Sequence, residues 1–159
     1  MELNFQPRYD VIENNHLNYI FVTERHVKYH VFFIDYSHMH PSFNQVYSFN
    51  IERENDEPQP LDAKIGYTIA YILKCFFQNE EHAMIMEADT SDGKEQKRLL
   101  RFDRWFDEYN DGSVIKYSGK VQTDDYNLYI SLYVNRNNEE IDDLVTAFQE
   151  LVSNQDGIF

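Results

Sequence analysis

Alternation of apolar with other residues is the feature that most constrains the fold of this chain, and it is clear in residues 18–23 and 26–36. Both segments are rich in β-branched and aromatic residues, and a period of two places every second side chain on one face of a strand. The alternating residues of the second segment are Val27, Tyr29, Val31 and Phe33. Because only Glu24 and Arg25 separate the segments, they predict two antiparallel strands joined by a tight turn.

Further strands follow along the chain. Residues 45–53 alternate through Tyr47, Phe49 and Ile51 and predict a third strand. Residues 113–122 and 126–135 alternate on either side of a turn and predict a second hairpin. A short apolar run at 83–88 adds one more strand, so we expect a mostly antiparallel sheet of about six strands.

Apolar residues at helical spacing predict three helices. They are Ile65, Ile69, Ile72, Leu73, Phe76 and Phe77 in a helix over 61–78; Leu99, Phe102, Phe106 and Tyr109 in a second; and Ile141, Leu144, Val145, Phe148, Leu151 and Val152 in a third. Asp62 suits the N-cap or the first turn of the first helix. The predicted order is therefore β-β-β-α-β-α-β-β-α, an α+β fold in a single domain over 1–159 with poorly ordered ends at 1–16 and 154–159.

This element order resembles the central and C-terminal parts of the GNAT N-acetyltransferase fold. The chain also resembles a family of small uncharacterised bacterial proteins with a GNAT-like fold, over roughly residues 18–134. The likeness is carried by "YIFVTERHVKYHVFF", "DAKIGYTIAYILKCFF" and "ADTSDGKEQKRLLRFDRWF". The resemblance implies a GNAT-like topology in a bacterial protein, and it supplies no activity.

The resemblance also implies where acetyl-CoA would bind. GNAT enzymes hold its pyrophosphate on backbone N–H groups where the helix after the third meander strand begins, with the pattern Gln or Arg, two residues, Gly, one residue, then Gly or Ala. This chain has "EPQPLDAKIGYTIA" there, with Ala63 three positions before Gly66 and Thr68 two positions after it. The motif is not met, and the Asp62 carboxylate would repel a pyrophosphate. We therefore expect no cofactor.

The charge balance limits the class of partner. With 28 acidic and 14 basic residues, the formal net charge is -14, so DNA, RNA and anionic membranes would be repelled. A basic protein would be attracted, so an immunity- or antitoxin-like inhibitor remains one possible function.

No apolar stretch approaches the roughly 20 residues that cross a bilayer. One cysteine, Cys75, lies in an apolar helical segment, where we expect a buried thiol and a reducing, cytoplasmic compartment.

Basic residues are concentrated in the second predicted helix. They are Lys94, Lys97, Arg98, Arg101 and Arg104. One interpretation is a solvated face, on which these charges pair with acids along the helix such as Asp103 and Glu108. The other is a site for an anion or an acidic protein partner. Both interpretations remain open from the sequence.

Two histidines form the closest approach to a metal motif. His38 and His40 are two positions apart and could meet His30 or His26 of the preceding strand. A third ligand is not evident from the spacing, so no metal is expected. No Ser-His-Asp set, phosphate-binding loop or dinucleotide fingerprint is present either.

The aromatic content is high, with 12 tyrosines and 12 phenylalanines. In the predicted strands bulky residues lie on both faces, as Phe32 and Ile34 do opposite Val31 and Phe33, and we expect helices to cover both sides of the sheet. Three classes of function remain: a non-catalytic binding or interaction protein, a divergent acyl-CoA-dependent N-acyltransferase, and an acidic inhibitor of a basic protein. The sequence favours the first and leaves the oligomeric state open.

Overall fold

The computed structural model describes residues 7–15, 17–55, 57–89, 94–122 and 127–155, with side chains for all of these except 89, 94–99, 122, 127 and 153–155. The strands are β1 (Ile12–Glu13), β2 (Asn18–Val22), β3 (Lys28–Asp35), β4 (Val46–Arg53), β5 (Ala83–Asp89), β6 (Val114–Gln122) and β7 (Asn127–Asn135). The helices are α1 (Ala63–Phe77), α2 (Lys94–Tyr109) and α3 (Ile141–Gln155), with a 3-10 turn at Ser37–Met39.

The strands form one sheet in the order β1-β2-β3-β4-β5-β7-β6. Neighbouring strands are antiparallel except β4 and β5, which are parallel because α1 returns the chain to the same end of the sheet. The predicted α+β class, with three helices and a mostly antiparallel sheet, is confirmed. The prediction of about six strands is wrong, since the sheet has seven strands within the described residues. The additional strand, β1, is two residues long and too short to show alternation.

Two cores lie on opposite faces of the sheet. On one face α1 and α2 pack against β2, β3 and the middle of the sheet, and buried residues there include Phe21, Val31, Ile72, Phe76 and Phe102. On the other face α3 packs against the strands around β7, and buried residues there include Val46, Ile85, Leu132, Leu144 and Phe148. The amphipathic pattern of each helix therefore selects one side of the sheet.

The face that α3 covers is covered only in part. Within the described residues, the core under α3 contains side chains from β4 to β7 and none from β2 or β3. Val22 and Ile34 on this face are consequently exposed. The expectation that helices cover both sides of the sheet is wrong for this half, because among the described residues two helices pack on one face and α3 alone packs on the other.

Buried tyrosines make the stability of the fold sensitive to alkaline pH. Burial raises the pKa of Tyr19 to about 12, and burial is also the main cause of the raised pKa values of Tyr36 and Tyr133. Because the unfolded value is about 10, the folded chain holds these protons more tightly than the unfolded chain. The stabilisation is therefore complete below about pH 10 and is lost as the pH rises through about 12.

We expect urea unfolding to show a free energy of unfolding that declines with pH in this alkaline range. Tyr19→Phe removes one of the titrating groups and should reduce the slope. Equal slopes for the wild-type chain and Tyr19→Phe would contradict the assignment.

Candidate functional site

The N-terminus of α1 is held by side chains from separate parts of the chain. Asp62 caps the helix, because its Oδ1 accepts a hydrogen bond from Lys64 N at 2.9 Å. The other carboxylate oxygen accepts a hydrogen bond from Tyr9 Oη, and Lys64 Nζ lies 2.9 Å from Glu24 Oε1. The predicted cap is thus confirmed, and a carboxylate of the chain itself occupies the positive end of the helix dipole.

Tyr9 joins the N-terminal segment to α1. Its N–H donates to Thr68 Oγ1 at 2.9 Å, its ring stacks on Phe21 with centroids 6.1 Å apart, and the residue is buried. The burial of Tyr9 does not follow from the sequence pattern, because an isolated aromatic residue has no periodic neighbours that would reveal it. Its aromatic character was the one available signal.

The parallel strands β4 and β5 pair over a short stretch only. Three residues of β4 have partners in β5, and the last of these pairs is Ser48 with Ile85. Beyond it the two strands continue without pairing to each other. On the face that α1 and α2 cover, the Phe49 ring lies 5.3 Å from the Phe102 ring of α2. On the opposite face, Glu87 accepts a hydrogen bond from Tyr36 Oη. The point where the strands separate is therefore flanked by the Phe49–Phe102 contact on one face and by the Glu87 carboxylate on the other.

The two helices above this divergence are in close contact. A Cβ added at Gly66 of α1 would lie 2.7 Å from Trp105 Nε1 of α2, so any larger residue would displace the indole or separate the helices. A second contact lies beside it: the Tyr67 ring of α1 and the Tyr109 ring of α2 meet edge to face, with centroids 5.5 Å apart. Aromatic side chains thus fill the seam between the helices.

The structure describes the side chains of two of the five candidate basic residues of α2. Arg101 and Arg104 are exposed, and neither has an ion-pair partner among the described residues. The side chains of three candidates, Lys94, Lys97 and Arg98, lie outside the described residues. The prediction of an anion or partner site therefore stays a prediction.

One of the acidic residues predicted to pair along α2 is engaged elsewhere. Asp103 forms an ion pair with Lys116 of β6, and both side chains are partly buried, with exposed fractions of 31% and 23%. This ion pair attaches α2 to the sheet and leaves Arg101 and Arg104 directed to solvent.

A comparison of variants distinguishes these two kinds of charge. Arg101→Glu combined with Arg104→Glu should change the free energy of unfolding by less than about 0.5 kcal/mol, as for exposed and unpaired positions. Asp103→Asn should lower it by about 1 kcal/mol, because it weakens a partly buried ion pair. Urea unfolding followed by circular dichroism measures both. A double charge reversal as costly as Asp103→Asn would show that the arginines are paired within the protein.

The histidines and the cysteine supply no assembled site among the described residues. His40 Nε2 lies 2.7 Å from Glu150 Oε2, His30 Nε2 lies 3.0 Å from Asn18 Oδ1, and His38 is exposed. No group of three or more possible metal ligands occurs in the described part of the chain. Cys75 is partly exposed rather than buried as expected, because it lies at the margin of the apolar stripe of α1.

No helix in the described residues combines the length and the apolar character needed to cross a membrane.

Comparisons with known proteins identify a family. No curated protein and no solved structure matches the chain. A family profile matches residues 61–150, more than half of the 159 residues. The matched segment runs from the residue before Asp62 to the middle of α3 and so includes α1, α2 and the hairpin. The chain therefore belongs to DUF6169, a family of unknown function.

Proposed function

We propose that this chain is a non-catalytic binding protein with a GNAT-like fold that recognises a protein partner in a bacterial cytoplasm. The sheet order supports the fold, because a meander leads through α1 into a parallel strand and the chain then closes with the β6–β7 hairpin. This succession of elements is similar to that of the central and C-terminal parts of the GNAT fold. The presence of one cysteine in the chain supports a reducing compartment.

The observation that carries the proposal is the capped N-terminus of α1. A pyrophosphate bound there would need free backbone N–H groups, but Lys64 N donates to the Asp62 side chain and Ile65 N donates to Asp62 O at 3.1 Å. Glu54 and Glu57, in the loop before the helix, are exposed and would repel an anion. We infer that this helix end is built for stability and holds no acetyl-CoA.

Charge indicates the kind of partner. The net charge of -14 favours a basic protein and disfavours nucleic acid or an anionic membrane. An immunity- or antitoxin-like inhibitor would be one form of such a protein. The exposed Arg101 and Arg104 offer a smaller surface of opposite sign, suited to an acidic partner.

A divergent acyl-CoA-dependent N-acyltransferase is the second candidate. One observation favours it: β4 and β5 separate after the Ser48–Ile85 pair, and Glu87 lies on β5 beside the separation. In that reaction an amine nitrogen would attack the thioester carbonyl, and the CoA thiol would leave. A carboxylate near the gap could accept the proton of the amine.

Release of the CoA thiol separates the two functions. The protein is incubated with acetyl-CoA and a mixture of primary amines, and the free CoA thiol is measured with a chromogenic disulfide reagent. A binding protein should give the rate of the buffer blank. Release proportional to protein concentration, lost in Glu87→Gln and retained in the exposed control Glu80→Gln, would establish the acyltransferase instead.

A further inference from the structure

Apolar side chains on one half of a sheet face are left uncovered by every described element. This open face consists of the exposed Ile12 of β1, Val22 of β2 and Ile34 of β3, together with the half-buried Ile20 and Phe32. Ile12, Val22 and Ile34 are 63%, 48% and 51% exposed. The open face lies opposite the core formed with α1 and α2, beside the region that α3 covers.

The strand register makes the open face one continuous patch. Ile12 pairs with Ile20, and Ile20 pairs with His30, so these side chains are neighbours on the same face. The His30 ring stacks on Phe32 with centroids 4.5 Å apart, and its Nε2 lies 3.0 Å from Asn18 Oδ1. Singly scattered apolar residues are common on protein surfaces, whereas a grouped patch marks an interaction site.

The dimensions of the open face suit an α-helix. Strands lie about 4.8 Å apart, so three strands span roughly the 10 Å diameter of a helix with its side chains. An apolar sheet face is normally buried against a layer of helix or sheet. In this chain α3 supplies that layer for the neighbouring half of the same face.

The charges bordering the open face select the occupant. Glu52 pairs with His30 at one border, Glu54 follows it, and Glu87 lies on the same face of β5; all three are exposed. They outnumber the exposed Lys28 of β3. A second copy of the chain would bring these acids and a further net charge of -14 against the first, whereas basic residues would be attracted.

We propose that the open face binds an amphipathic helix of a partner protein whose apolar stripe is bordered by lysine and arginine. This inference rests on the proposed function and names the surface and the partner chemistry for it. Apolar burial supplies affinity through the Ile, Val and Phe side chains, and the acidic border supplies orientation and rate of association.

A designed peptide tests the proposal without knowledge of the natural partner. The probe is a helix of roughly 18 residues, about five turns, with leucine on one face and lysine on the other; a second peptide carries glutamate in place of lysine. Binding to the full chain is measured by fluorescence anisotropy. Ile34→Lys and Val22→Lys should each weaken binding of the lysine peptide at least about tenfold, a loss of about 1.4 kcal/mol.

Matched controls use exposed leucines outside the open face. Leu61 and Leu100 are 96% and 60% exposed, so Leu61→Lys and Leu100→Lys add the same charge elsewhere and should leave affinity within about twofold. Circular dichroism checks that each variant is folded.

Equal losses in all four variants, equal binding of the glutamate peptide, or no binding of the lysine peptide would overturn the proposal. So would a dimer in sedimentation that Ile34→Lys dissociates, because the occupant would then be a second copy. None of these outcomes depends on acetyl-CoA, so a failure here is separate from a failure of the proposed function.

Discussion

Replacing Phe76 with alanine should lower the free energy of unfolding by about 3–5 kcal/mol. Phe76 is 1% exposed, and its ring stacks on Phe33 with centroids 4.2 Å apart and on His82 at 4.6 Å. It also meets the Tyr47 ring edge to face at 5.9 Å. Because the side chain joins α1 to β3 and β4, its loss leaves a cavity that the rigid aromatic neighbours cannot fill.

Urea unfolding of Phe76→Ala and of an exposed control measures this loss. Leu100→Ala removes an apolar side chain of α2 that is 60% exposed and should change the free energy of unfolding by less than about 0.5 kcal/mol. If Phe76→Ala cost no more than Leu100→Ala, the packing of α1 on the sheet would be wrong as described.

Replacing Gly66 with valine should lower the free energy of unfolding by about 1–3 kcal/mol. The first added carbon would already lie 2.7 Å from Trp105 Nε1 and 3.1 Å from Trp105 Cε2. Both distances are shorter than a normal contact, so α1 and α2 would have to move apart or the indole would have to turn. Burial of the helix seam would decrease in either case.

A double-mutant cycle isolates this clash, because valine has a higher helix propensity than glycine and propensity cannot account for the expected loss. Ala63→Val places valine at an exposed position of the same helix and should cost only about 0.5 kcal/mol. Gly66→Val should cost less in a Trp105→Ala background than in the wild-type chain, because the clashing indole is gone. Equal costs in the two backgrounds would mean that the seam between α1 and α2 is not closed by this contact.

Periodicity was sufficient to predict the helices and the longer strands, because each buries a regular stripe of side chains. It predicted the α1 apolar face through Phe76 and the β6–β7 hairpin in the right order. It could not predict β1, whose pairing with β2 depends on hydrogen bonds between two residues and their partners. It also could not predict which half of the sheet α3 would leave uncovered, since Phe32 and Ile34 have the same pattern whether a helix covers them or not.

The candidate site was predictable only where the chemistry is local. The cap formed by Asp62 depends on a residue two positions away, so the sequence was enough. The contacts of Tyr9 with Asp62 and Thr68 join residues more than 50 positions apart, and no spacing rule reaches that far. The exposure of Arg101 was not predictable either, because Asp103 pairs with Lys116 of another element and not with a basic residue of its own helix.

Thermal unfolding of the full chain, measured with and without saturating acetyl-CoA, tests directly whether the N-terminus of α1 holds this cofactor. A ligand that binds only the folded state must raise the melting temperature, by an amount equivalent to about 2.7 kcal/mol at a concentration of about 100 times Kd. A binding protein whose α1 N-terminus is capped by Asp62 should show the same Tm in both samples. A Tm that rises with acetyl-CoA concentration would contradict this expectation and would indicate an acyl-CoA site in this fold.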